Sequence, residues 1–165
     1  MTVAKTVAIL ALFFCTTLSP ACRVSSNKPV NSKDSAANQA IENSNTTKTN
    51  VEELGVIINV QYEAEDVVWK EDAAHKKVIA VLRFSPADSA KLVAEAEKIR
   101  PSESANISSE TWFPAELIAQ SEMSGDDDLK GQSYAANQFF QEPYTKGLIV
   151  RIENTDSFVV VLSAN

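Results

Sequence analysis

Glycine, cysteine and histidine are scarce in this 165-residue chain, at 4, 2 and 1. The four glycines fall in no phosphate-cradling or dinucleotide spacing, so nucleotide chemistry of that kind is excluded. Catalysis by a Ser-His-Asp arrangement has one candidate base, His75, which stands in a polar run between Ala74 and Lys76 and reads as a solvated side chain. No serine sits in a Gly-x-Ser-x-Gly elbow. Zinc wants Cys and His at close spacing, and one histidine cannot provide it. No catalytic constellation, no metal and no cofactor is therefore expected. Positive charge is also short, because the net charge is −7, which argues against nucleic acid as a partner. With only 6 Pro beside the 4 Gly, the chain is neither collagen-like nor a Pro/Gly-rich disordered polymer.

The N-terminus, residues 1–21, reads as an export signal. Lys5 supplies the positive charge, and Val7 to Leu18 is an apolar run broken only by Cys15, Thr16 and Thr17. That run is about a dozen residues, whereas a membrane-spanning helix needs about 20. Ser19-Pro20-Ala21 then places small residues before a cut at Cys22. Leu18-Ser19-Pro20-Ala21-Cys22 resembles the lipobox of bacterial lipoproteins, with Ser19 and Pro20 departing from the residues usual there. The resemblance covers the first 22 residues and implies that Cys22 is lipidated and becomes the first residue. Cysteine arithmetic points the same way: Cys15 leaves with the signal, and lipidation occupies a lone thiol that an oxidising compartment would otherwise leave reactive. The alternative is a soluble secreted chain; Asn45-Thr46-Thr47 and Asn106-Ile107-Ser108 would then be glycosylation acceptors in a eukaryotic host.

Residues 22–50 read as a tether. From Arg23 to Asn50, half of the 28 residues are Asn, Ser or Thr, and none is aromatic. Such a stretch buries too little apolar surface to offset the ordering of its backbone. As a flexible coil it would span about 30 Å. It carries +2, while residues 51–165 carry −10 from 10 basic and 20 acidic residues. The acidity reads first as solubility, although an acidic module on a basic leash also suits anionic headgroups.

Residues 51–165 read as a single α+β domain, a small antiparallel sheet of about four to five strands with two or three helices on one face. Val56, Ile58, Val60 and Tyr62 alternate as on a strand. Val67-Val68-Trp69 reads as a second, short strand before a polar loop. Lys77 to Phe84 is apolar on both faces, as in a central strand. Ser85-Pro86-Ala87-Asp88 starts a helix with a Ser cap, an early Pro and an acid in the first turn; Arg100-Pro101 stops it. Pro114 opens a second helix through Gln120, Gly125 to Lys130 reads as a charged turn, and Ser133 to Gln141 as a third helix. Gly147–Glu153 and Ser157–Leu162 form a hairpin about Asn154-Thr155-Asp156.

Asp126-Asp127-Asp128 resembles a cation loop only superficially. Lys130 and Asn137 occupy positions where an EF-hand wants an oxygen and a bidentate Glu, so the triplet reads as a solvated acidic turn. Aromatic residues are more informative. Outside the signal there are 10, and 6 lie between Trp112 and Tyr144. They either build the core or, for Trp112, Phe113, Phe139, Phe140 and Tyr144, form a patch that docks a peptide, glycan or partner protein. Two function classes follow. The preferred one is a non-catalytic binding, assembly or inhibitor module, held to the membrane of a bacterial cell envelope by its lipidated N-terminus. The other is a small envelope hydrolase using carboxylates such as Glu116, Glu122 or Asp126.

Overall fold

The computed structural model describes residues 46–125 and 127–165. The export signal, Cys22, the tether up to residue 45, and Asp126 lie outside the described residues. Ten elements follow one another: α1 (Val51–Ile57), β1 (Ala64–Asp72), β2 (Lys77–Phe84), α2 (Pro86–Glu97), β3 (Glu103–Ser108), α3 (Ala115–Ser124), β4 (Asp128–Ala135), a 3-10 turn (Asn137–Phe139), β5 (Tyr144–Ile152) and β6 (Ser157–Ala164). The six strands form one sheet in the order β1-β2-β6-β5-β4-β3, and every pairing is antiparallel. The α+β class holds, with six strands rather than four to five.

Helix placement differs from the sequence reading. Helices α1 and α2 bury Leu54, Leu92 and Ala96 with Trp69, Phe84, Phe158, Val160 and Leu162 on one face of the sheet. Helix α3 lies on the other face, where Leu117 meets Val81, Leu129, Val150, Ile152 and Val159. The reason is visible in β2: Val78, Ala80, Leu82 and Phe84 join the first core, and Val81 and Ile79 join the second. A strand apolar on both faces requires cover on both.

Three segments take another form than their pattern predicts. Val56 to Tyr62 alternates like a strand, yet α1 claims Val51–Ile57. Asn50 decides it, because its side chain accepts the Glu53 N–H at 3.1 Å and caps the helix, with Glu52 and Glu53 at the positive end of the dipole. Ser133 to Gln141 is not a helix: β4 runs to Ala135, and only the 3-10 turn follows. Its small residues serve strand packing. A Cβ at Gly131 would lie 2.3 Å from the Arg151 carbonyl oxygen, so β5 approaches closer than any other residue allows. Strand β3, polar except for Ala105 and Ile107, is a sixth strand with no clear alternation in the sequence. The acidic triplet divides, since Asp128 begins β4 rather than extending a turn.

Other elements follow their signals. Ser85 caps α2 by accepting the Asp88 N–H at 3.1 Å, and its hydroxyl donates back to Asp88 at 2.9 Å. The Lys91 ammonium, 2.8 Å from Asp88, and then that Ser85 hydroxyl hold the Asp88 carboxyl below its usual range. The β5–β6 hairpin turns at the expected residues, with Asn154 at φ +60°. Gly147 sits in β5 at φ +145°, where a Cβ would meet the Val161 carbonyl oxygen at 2.0 Å.

The chain just before residue 51 already belongs to the fold. Lys48 and Trp69 exchange both backbone N–H···O bonds at 2.9 Å, closing part of the outer edge of β1. The buried Trp69 indole then donates to the Asn50 carbonyl at 3.1 Å.

Candidate functional site

The sheet divides the five aromatic residues that offered either core or one patch. Phe139, Phe140 and Tyr144 belong to the α1–α2 side, and Trp112 and Phe113 to the α3 side. Phe139 and Tyr144 are buried, Phe113 is buried, and Trp112 and Phe140 are half-buried. One common docking surface therefore does not form. Tyr144 has a structural task, its hydroxyl donating to Glu71 at 2.6 Å. Burial, and secondly that bond, push its phenol above the usual tyrosine range.

Trp112 and Phe113 instead help build a cleft on the α3 side. Ser108 ends β3, and the chain then crosses the sheet before α3 begins. This crossing loop is tied down at several points. Ser109 N–H donates to the Asp127 carbonyl at 2.9 Å, and Phe113 N–H to the Glu110 carbonyl at 2.9 Å. The Ser121 hydroxyl of α3 lies 2.8 Å from the Ser109 hydroxyl, and Gln120 reaches the Glu153 carbonyl at 3.1 Å. The loop is thus tied to α3 and to Asp127, the residue before β4, while Gln120 ties α3 to the turn after β5.

Trp112 is held from three sides. Its indole N–H donates to Glu110 Oε2 at 2.5 Å. The Lys70 ammonium stands 5.2 Å from the ring centroid, a cation–π contact. Phe113 meets the ring edge-on at 4.7 Å and 84°. An aromatic ring fixed in this way at the edge of an opening is pre-organised for contact.

The floor is the sheet itself. In register across β1, β2, β6 and β5 run Lys70, Ile79, Val161 and Leu148. The row beside it, Val81, Val159 and Val150, is sealed under Phe113 and Leu117. The outer row is not sealed, and Leu148 is 36% exposed. Two adjoining hollows result. One, of about 330 Å³, is floored by Ile79, Leu148 and Val161, reaches in as far as the buried Val159, and is walled by Phe113 and Ile107. The other, of about 260 Å³, lies between Trp112, Lys70, Asp72 and Ile79. Lys77 and Glu110 line both. These sizes lie about the lower end of the range for small-molecule sites, about 300–1,000 Å³.

Most charges in the cleft have partners. Asp72 accepts from His75 through both the backbone N–H at 3.1 Å and the ring Nδ1 at 2.6 Å. The side-chain bond is the main reason its carboxyl lies below the usual range. Glu110 is taken by Trp112, and Lys70 by the face of the same ring. Lys77 is half-buried, and among the described residues its ammonium enters no ion pair or side-chain hydrogen bond. Sequence reasoning missed Lys77, Ile79, Leu148 and Val161. The signal available was the two-sided apolar pattern of residues 77–84, which required a second covered face.

A larger hollow, about 400 Å³, lies between Tyr134, Gln132 and the β5–β6 turn. Its cation, Arg151, is already held by Asp156 at 2.9 Å and the Thr155 carbonyl at 3.2 Å. Of the carboxylates named for hydrolysis, Asp126 lies outside the described residues, and neither Glu116 nor Glu122 lines this hollow. Glu116 and Glu122 are exposed on α3, and Glu122 borders a hollow with Glu110 and Asp127. Among the described residues no group of three His, Cys, Asp or Glu is arranged to hold a metal, and no helix is long and apolar enough to cross a membrane. No protein-family model, curated protein or solved structure matches this chain.

Proposed function

We propose that this protein is an exported, lipid-anchored envelope component that acts as a non-catalytic binding module, with the α3-side cleft as its docking site. The observation that carries the binding reading is the outer row Ile79–Val161–Leu148, an apolar strip left open beside a tryptophan already locked in place. Burying such a strip against a ligand removes apolar surface from water, and the fixed Trp112 ring loses little freedom in doing so. The anchor rests on the N-terminal pattern ending at Cys22.

Intact mass and membrane partitioning of the native protein, beside Cys22→Ala, test the anchor. An acylated chain starting at Cys22, shifted to the soluble fraction by the substitution, supports it; an unmodified soluble chain overturns it. The cleft is tested with 1-aminoanthracene, an uncharged apolar fluorophore. Its emission should rise on binding, and Leu148→Asp should abolish the rise without moving the melting temperature. A response unchanged in Leu148→Asp would remove the cleft as the docking site.

A further inference from the structure

We infer that the α3-side cleft takes a single-chain carboxylate amphiphile, with its head at Lys77 and its acyl chain along Ile79, Val161 and Leu148. This assignment rests on the cleft being the binding site and goes on to name its ligand class.

Charge selects the head. Four ionised side chains line the two hollows, and three are engaged: Asp72 by His75, Glu110 by the Trp112 indole, and Lys70 by the Trp112 ring. Lys77, which lines both hollows, is the remaining one, on a domain that carries −10 in all. Asp72 faces Lys77 across the β1–β2 register but turns its carboxylate to His75. A half-buried ammonium with no ion pair among the described residues is completed by an anion, through charge-assisted hydrogen bonds that a neutral head cannot match. A carboxylate places that charge at the end of an apolar chain, which is the layout of Lys77 beside the Ile79–Leu148 strip.

The floor selects the body. A sheet face presents side chains only, because its N–H and C=O groups are spent on neighbouring strands. An extended peptide laid on it would find no backbone partners; such peptides add to sheet edges instead. An alkyl chain has no hydrogen bonds to satisfy, so an aliphatic floor with an aromatic wall suits it.

The test uses the full chain carrying Cys22→Ser, so that no attached acyl group competes. The protein is loaded with 1-aminoanthracene, and laurate or 1-dodecanol is added below its aggregation concentration. Laurate should displace the dye about tenfold more tightly than dodecanol, the size expected of one charge-assisted contact. Lys77→Gln should bring laurate to the dodecanol level and leave dodecanol unchanged, while Lys77→Arg keeps the preference. Equal displacement by both compounds, or a laurate preference that survives Lys77→Gln, overturns the carboxylate assignment and leaves the binding-module reading standing. Dye that binds but yields to neither compound overturns the acyl class. No dye binding at all overturns both.

Discussion

The two faces of the sheet are built from the same strands but finished differently. On the α1–α2 face, Trp69, Phe84 and Phe158 are buried under two helices and the 3-10 turn. On the α3 face one helix covers Leu129, Val150 and Ile152, and the row ending at Leu148 stays open. The first face is closed by apolar burial, the second by burial plus a loop held with polar bonds. Both faces hold a buried core, but only the α3 face leaves an apolar row open beside it.

The largest expected effect tests the closed face. Trp69→Ala removes a buried ring and its bond to Asn50, and should cost about 3–5 kcal/mol in denaturant unfolding. Tyr144→Phe should cost about 1–2 kcal/mol, since one bond to a carboxylate is lost. It also has a pH signature. The phenol is harder to ionise when folded, so its contribution is intact below the unfolded tyrosine value near 10 and fades as pH rises through the folded value. Unfolding measured from pH 8 upward should therefore lose stability less steeply in Tyr144→Phe than in the parent chain.

Trp112→Ala probes the open face and should cost about 1 kcal/mol, because the ring is only half-buried. A loss matching that of Trp69→Ala would mean that the two faces are equally structural and that the contrast between them is wrong. Leu148→Gln should be smallest, within about 0.5 kcal/mol of the parent in the same unfolding measurement, because the side chain is already 36% exposed. A larger cost would show that the strip is core rather than site.

Much of the fold was legible where local chemistry and tertiary need agree. Ser85 and Pro86 announce α2, and Asn154-Thr155-Asp156 announces the last hairpin. Misreadings arose where two signals compete. Val56 and Ile58 alternate like a strand, but Asn50 caps the residues before them, and the cap wins because it begins a helix whose Leu54 reaches the core. Ser133 and Tyr134 look helical in composition, yet Gly131 is required by a neighbouring strand that no local window contains. The site was less legible than the fold. Trp112 and Phe113 were singled out by composition and do wall the cleft, but Phe139, Phe140 and Tyr144 lie across the sheet from them. Lys77, Ile79, Val161 and Leu148 come from three strands whose pairing is set by long-range register, so the two-sided pattern of residues 77–84 signals a second face without saying which side chains meet on it.

The bridge between Lys48 and Trp69 has a mechanical meaning. A load entering the described chain at Thr46 reaches this pair within two residues, and its two bonds lie across antiparallel segments. A pull along the chain strains both bonds together, in shear, and the Lys48 ammonium over the Trp69 ring and the indole bond to Asn50 share the same anchorage. Force entering there is carried into β1 and the buried Trp69, whose neighbour Lys70 stands over the Trp112 ring at the cleft. A pull on this N-terminal segment is thus passed to the strand that carries Lys70 and Asp72 at the edge of the cleft.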